Sequence, residues 1–192
     1  MRIIGGELKG RKLRSVKGTN TRPTADRTRE AIFNIIAFQV RDSTVLDLFA
    51  GTGAFGIEAL SRGAESAVFV DSNSQSIAVL RENLAELPLE SPTRVIRWDL
   101  SKNLNCLHSL SFTFNLIFMD PPYNKSLIAP ALEHLDASHS LENGARIIVE
   151  HSHREPVAPD RLPFEIVDRR RYGKTLVSFL NYTERKGPTC PK

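Results

Sequence analysis

The sequence is poor in what would place it outside the cell, in a membrane or around a metal. It has two cysteines in 192 residues, Cys106 and Cys190, too far apart in the chain to suggest a disulfide framework. No apolar run approaches the roughly 18 residues of a membrane span. The opening stretch, MRIIGGELKGRKLRS, lacks the apolar core and small-residue cleavage site of a secretory signal. These absences predict a cytoplasmic protein with no membrane attachment. The five histidines include one i, i+2 pair, His151 and His153, with no accompanying cysteine pair and no H-E-x-x-H spacing, so no metal is expected. Repeats, linkers and low-complexity blocks are also missing, and the length fits one domain. The expected division is an N-terminal basic hairpin and helix over 1–40, a catalytic sheet over 41–183, and a frayed tail over 184–192.

What the chain does have is unevenly placed charge. The net charge is +4, but the first thirty residues hold nine basic and three acidic side chains, which leaves −2 for the remainder. A second basic group, Arg169, Arg170, Arg171 and Lys174, lies near the other end. Phosphate binding needs concentrated positive potential more than a high total, so nucleic acid is a candidate partner. Arg11, Lys12, Arg14, Arg22, Arg27 and Arg170 are the expected contacts.

Hydrophobic patterning alternates between strand and helix. RIIGGELKGRKL reads as a small hairpin or extended arm. TRPTADRTREAIFNII reads as a helix with a possible cap at Thr24 and an apolar face including Ile32, Ile35 and Ile36. TVLDLF, SAVFVD, TRVIRWD, FNLIFMD and ARIIVEHS read as five strands. Between them lie the helical stretches GIEALSRG and SQSIAVLRENLAEL, and LIAPALEHL, which Pro130 is expected to interrupt. FEIVDRRRYGKTLVSFLNY gives two further β runs, an antiparallel hairpin. The fold class is therefore α/β: a Rossmann-like, mostly parallel sheet with an antiparallel terminal hairpin. Ligands of such sheets bind at the carboxyl ends of the strands, where strand order reverses.

Those ends carry the chemistry. DLFAGTGAFG follows the first strand and opens a helix, and Gly51, Gly53 and Gly56 form a G-x-G-x-x-G. Asp71 ends the second strand twenty residues after Gly51, placed to accept from ribose hydroxyls. Asp47 precedes the glycines, where its charge opposes a diphosphate and suits the ammonium of a methionine moiety. Asp99 supplies an acceptor where an adenine amino group would lie, with Trp98 beside it. Asp120, Pro121, Pro122 and Tyr123 follow the fourth strand, and the prolines stop the ladder and hold their neighbours stiffly. An acidic rim of this kind favours S-adenosylmethionine over NAD.

LDLFAGTGAFGIEALSRGA together with MDPPY resembles class I S-adenosylmethionine-dependent methyltransferases acting on planar amino groups. The opening RIIGGELKGRKL and TRPTADRTREAIFNII resembles one branch, the RsmD family, which methylates the N2 amine of a guanine in small-subunit (16S) ribosomal RNA. The resemblance implies a seven-stranded sheet, S-adenosylmethionine as donor, and rRNA or a small-subunit particle as acceptor. It makes Asp47, Phe49, Gly51, Gly53, Asp71 and Asp99 cofactor contacts and Asp120, Pro121, Pro122 and Tyr123 the catalytic loop. Many members carry Asn at the position of Asp120. A monomer is expected. The alternatives are an amino methyltransferase acting on DNA adenine or protein glutamine, a NAD-dependent oxidoreductase, and a non-catalytic RNA-binding module.

Overall fold

The structure, a computed structural model, describes residues 1–16, 23–89, 92–159 and 162–184. Arg22 and Cys190 lie outside the described residues. Helices α1 (Pro23–Ile35) and α2 (Ala37–Val40) lead into β1 (Thr44–Leu48), followed by α3 (Ala54–Ser61), β2 (Ser66–Asp71), α4 (Ser74–Glu86) and β3 (Thr93–Arg97). After a 3-10 turn at Asn105–Leu107 come β4 (Phe114–Met119), α5 (Ile128–Ala137), β5 (Leu141–Ser152), β6 (Phe164–Tyr172) and β7 (Thr175–Tyr182).

The seven strands form one sheet in the order β3-β2-β1-β4-β5-β7-β6. The first five in that order run parallel, and β7 is antiparallel to both β5 and β6. The expected mixed sheet with an antiparallel terminal pair is what the chain forms. The order reverses between β1 and β4, and this is the switch point.

Period-two alternation distributes the strands' side chains over two apolar layers. On one face Val45, Leu116 and Phe118 pack with α1, α3 and α4 through Ile32, Phe33, Ile57, Leu60, Ile77 and Leu80. On the other, Leu46, Leu48, Ile117 and Met119 pack with α5 through Ile128, Leu132 and Leu135. Phe33, Phe55 and Phe118 stack at centroid distances of 5.1 to 6.4 Å, joining α1, α3 and β4 below the strand ends.

Four local readings are corrected. Pro23 opens α1, so Thr24 lies within its first turn and is not the cap; proline suits that position because its missing N–H has no helical partner. Ile35 is 44% exposed, and Phe33 joins Ile32 and Ile36 on the buried face. Pro130 does not interrupt α5, because it stands in the first turn, where amides are unpartnered in any case. β5 begins at Leu141, ahead of the predicted strand, with a register shift against β4 that accommodates the positive φ of Gly144.

The N-terminal arm is a loop joined by one antiparallel bridge, Arg2 to Lys12. It is seated on α3. Glu58, 1% exposed, accepts from the amides of Ile4 and Gly5, both at 2.7 Å, and from Arg62 Nε at 2.8 Å. Gly6 has φ +73, and a Cβ there would lie 1.7 Å from the Ser61 carbonyl oxygen. No other residue allows the arm this close.

Candidate active site

The glycine loop begins where β1 ends. Phe49 and Gly51 adopt φ of 58 and 55, and Gly53, at φ 88, is the left-handed residue from which α3 starts. Phe49 is a non-glycine residue in a strained region beside the site, the kind of position at which function concentrates. A Cβ on Gly53 would come within 2.4 Å of Leu80 Cδ1, whereas one on Gly51 would meet nothing closer than 4.0 Å. The second glycine is thus fixed by packing, and the first leaves an open cradle in front of the strand ends.

Asp71 pins this loop. Its Oδ2 accepts from Gly51 N at 2.8 Å and its Oδ1 from Asn73 N at 2.7 Å, while Asn73 caps α4 through Gln75 and Ser76. Further along the rim, Ser72, Arg97, Trp98, Asp99, Lys102 and Asn103 line a cavity of about 540 Å³. Trp98 is fixed by a bond from its Nε1 to the Asn103 carbonyl, and Asp99 accepts from the amide and hydroxyl of Ser101. Those two bonds hold the Asp99 carboxyl below its usual range.

Asp47 takes a different position from the other aspartates. It lies inside β1, on the α3 face, 1% exposed, and its Oδ2 accepts from Gly56 N at 2.9 Å. Burial raises its carboxyl to about 7, with the Gly56 bond opposing and the Asp71 charge adding to the rise. The unfolded carboxyl ionises near 3.9, so the native state, which holds its proton longer, loses stability as pH rises from about 4 to about 7. Asp47→Asn keeps an acceptor for Gly56 and has no charge to bury. Its gain in melting temperature over the parent is therefore expected to be larger at pH 8 than at pH 5. Equal gains at both pH values would show that Asp47 is not held protonated.

Across the switch point, Asp120 follows β4 directly, its amide reaching the Leu48 carbonyl at 3.5 Å. Its side chain is open to the cleft yet surrounded by protein on its other sides. That enclosure raises its carboxyl well above the ordinary range, and the Glu150 and Asp47 charges add to the effect. Burial also raises Glu150, against the pull of the Tyr123 hydroxyl and the Arg29 guanidinium. Pro121 is buried, Pro122 exposed, and Tyr123 is 39% exposed. The tyrosine ring is held by its hydroxyl, which donates to Glu150 Oε1 at 2.8 Å and meets Thr175 Oγ1 at 3.0 Å. Asn124 N donates to Glu155 Oε2 at 2.7 Å, and Asn124 and Ser126 both have positive φ.

Asp47, Phe49, Gly51, Gly53 and Asp71 therefore gather on one side of the switch point, Asp120 to Tyr123 face them, and Asp99 lies beyond Asp71 along the rim. The expected nucleic-acid contacts are dispersed. Arg11, Lys12 and Arg27 are exposed. Arg14 is bonded to Glu86 and lies 3.5 Å from Glu82, and Arg170 Nε donates to Asp168 at 2.8 Å. Sequence reasoning missed Glu150, Thr175 and Glu155, which hold the loop, and Asn83, whose Nδ2 donates to the Thr52 carbonyl at 3.0 Å and whose Oδ1 accepts from Arg14 N at 2.8 Å. Among the described residues no group of three or more His, Cys, Asp or Glu could hold a metal ion.

A family model described as conserved hypothetical protein 95 matches residues 1–181. The chain belongs to this family, the RsmD family. A Bacillus subtilis member, YlbH, provisionally named an rRNA methyltransferase, is 40% identical over 93% of this chain and 97% of its own. Ribosomal RNA small subunit methyltransferase D of Escherichia coli is 37% identical over 78% of this chain and 74% of its own. An E. coli structure described as a methyltransferase superposes with a TM-score of 0.81 at 32% identity, covering 96% of this chain and 99% of that one. A structure described as the methyltransferase SMU.776 in complex with S-adenosylhomocysteine shares the fold at 19% identity and a TM-score of 0.60, covering 81% of this chain and 48% of that one. The RsmD assignment joins the two ends of the site, since both the glycine loop and the D-P-P-Y turn lie within the matched residues.

Proposed function

We propose that this RsmD-family enzyme transfers a methyl group from S-adenosylmethionine to the N2 amine of a guanine in small-subunit rRNA. The observation that carries the reading is the juxtaposition of Asp120 and the Gly51 cradle across the switch point of a chain that matches a family of rRNA methyltransferases. The residues fit such a donor. The open side of Gly51 admits a ligand close to the backbone, and Asp71 stands at the ribose position. Trp98 and Asp99 line a cavity where an adenine would lie, and the buried carboxyls of Asp47 and Glu150, raised by burial, would be drawn toward ionisation by a cationic ligand. A diphosphate would oppose that ionisation, which weighs against a dinucleotide.

When bound, S-adenosylmethionine supplies an electrophilic methyl group on a positively charged sulfur. The protein's work is on the acceptor. An exocyclic amine is a weak nucleophile because its lone pair is delocalised into the ring. Asp120 Oδ and the Pro121 carbonyl would each accept one N–H, drawing the nitrogen toward tetrahedral geometry. The two prolines keep these acceptors in place, so little reorganisation is needed. The Tyr123 ring, aimed by Glu150 and Thr175, offers a face on which the base stacks once it has left its own stack.

The test is transfer of labelled methyl from S-adenosylmethionine to purified small-subunit rRNA and to the assembled subunit, followed by nucleoside analysis. Label in N2-methylguanosine is expected. Label in another nucleoside, or none on either substrate, overturns the reading. In the same protein Asp71→Ala should weaken S-adenosylhomocysteine by about 1.5–3 kcal/mol, the scale of hydrogen bonds to a charged group. Unchanged affinity would remove Asp71 from the ribose position.

A further inference from the structure

The tyrosine bond has a topological result. It ties the turn after β4 to the start of β7, so the tip of the β6–β7 hairpin stands beside the acceptor loop. The hairpin tip is the segment 172–175, with Tyr172 and Thr175 paired across it. Thr175 also pairs with Ser152 at the end of β5. Four cations occupy the neighbourhood this creates. Lys125 follows Asn124, and Asn124 is bonded to Glu155, the residue after Arg154. Lys174 precedes Thr175, which is bonded to Tyr123, and Arg171 lies on β6 just before the tip. All four are exposed, and among the described residues none takes part in an ion pair. The Arg171 Nε–H donates to the Gly173 carbonyl at 3.0 Å, which steadies the stem of that side chain.

At the acceptor cleft Asp120 and Glu150 stand at the D-P-P-Y turn, and the four cations are carried by that turn and by the two segments bonded to it. A neutral base entering this cleft brings its flanking phosphates to these cations. Resting on the function proposed above, we propose that Lys125, Arg154, Arg171 and Lys174 form the phosphate-binding rim of the acceptor cleft and grip the RNA strand on either side of the methylated nucleotide. This places the decisive RNA contacts of the C-terminal half around the acceptor cleft, and not at Arg170, whose guanidinium is engaged by Asp168 on the strand itself.

The test measures binding of deproteinised small-subunit rRNA against potassium chloride concentration for the parent and for a variant carrying Lys125→Gln, Arg154→Gln, Arg171→Gln and Lys174→Gln. Two double variants, Lys125→Gln with Lys174→Gln and Arg154→Gln with Arg171→Gln, guard against a folding defect. S-adenosylhomocysteine affinity serves as the control for an intact cofactor half. Each lost contact should flatten the log–log slope by about 0.7, hence by nearly 3 for all four, with affinity near 100 mM salt falling on the order of tenfold or more. The cofactor affinity should not change. A slope equal to the parent's in all three variants overturns the rim while leaving the methyltransferase reading standing. Loss of transfer on assembled subunits with an unchanged slope on free rRNA would make the rim a protein-docking face, and also overturns the proposal. If the parent itself neither binds nor methylates rRNA, the functional reading falls first, so the two failures are distinguishable.

Discussion

Replacing Asp120 by alanine is expected to slow single-turnover methyl transfer by about 10²–10³-fold while S-adenosylmethionine affinity changes little. The magnitude is that of losing one preorganised polar partner aimed at a developing charge. The selectivity follows from position: Asp120 stands on the β4 side of the switch point, and the glycine loop is anchored by Asp71 on the other side. Asp120→Asn keeps an acceptor oxygen and removes the carboxyl that burial, Glu150 and Asp47 have raised. It should stay within about tenfold of the parent and show a flatter pH profile. Tyr123 separates ring from hydroxyl. Tyr123→Ala loses a stacking face, about 1–3 kcal/mol per base. Tyr123→Phe keeps the face but releases it from Glu150 and Thr175, so its rate should fall between the parent and the alanine variant. Full transfer by Asp120→Ala would reduce the D-P-P-Y turn to a strand stop.

The second large effect concerns stability. Glu58→Ala is expected to lower the unfolding free energy by about 3–5 kcal/mol, the scale of breaking a buried charged pair by removing one partner. Glu58 receives Ile4 N, Gly5 N and Arg62 Nε, and its Oε2 lies 3.9 Å from Arg29 Nε. Arg29 is itself 3% exposed, and its guanidinium reaches the Arg2 carbonyl at 2.7 Å and Asp26 at 3.1 Å. Removing the carboxylate therefore leaves the buried Arg29 with Asp26 as its remaining ion-pair partner, takes the buried partner from Arg62, and unseats the arm at once. Urea denaturation measures it through the midpoint and slope. A loss below about 1 kcal/mol would mean that water replaces Glu58 at low cost, and the arm would not depend on it.

The parts of the site legible in the sequence were those whose chemistry is local. Gly51, Gly53 and Asp71 follow strands and open helices, so spacing alone placed them. The D-P-P-Y turn announced itself because prolines cannot continue a ladder. What stayed hidden depends on pairings far apart in the chain: Glu58 meets Ile4 across 54 residues, Tyr123 meets Glu150 across 27 and Thr175 across 52, and Asn83 meets Arg14 across 69. Charge counting was blind in the same way. Arg29 was one cation among nine in the basic opening, yet it is buried among carboxylates, and Arg14 spends its guanidinium on α4. Ile35 was misread because the buried stripe runs through Ile32, Phe33, Ile36 and Val40 across the α1–α2 junction, and Ile35 stands off it.

The order of the sheet has a consequence for how the chain is made. β1 pairs with β2 on one flank and with β4 on the other. Synthesis supplies β2 and β3 soon after β1, but β4 arrives only at residues 114–119. Until then the β4-facing edge of β1 is an unpaired row of amides and carbonyls flanked by Val45, Leu46 and Leu48, all fully buried in the finished protein. Such an edge invites pairing with another chain. The strand that carries the D-P-P-Y turn is thus also the one that covers this edge of β1. Substitutions that weaken β4 would then reduce the yield of soluble protein before they could be scored as losses of activity.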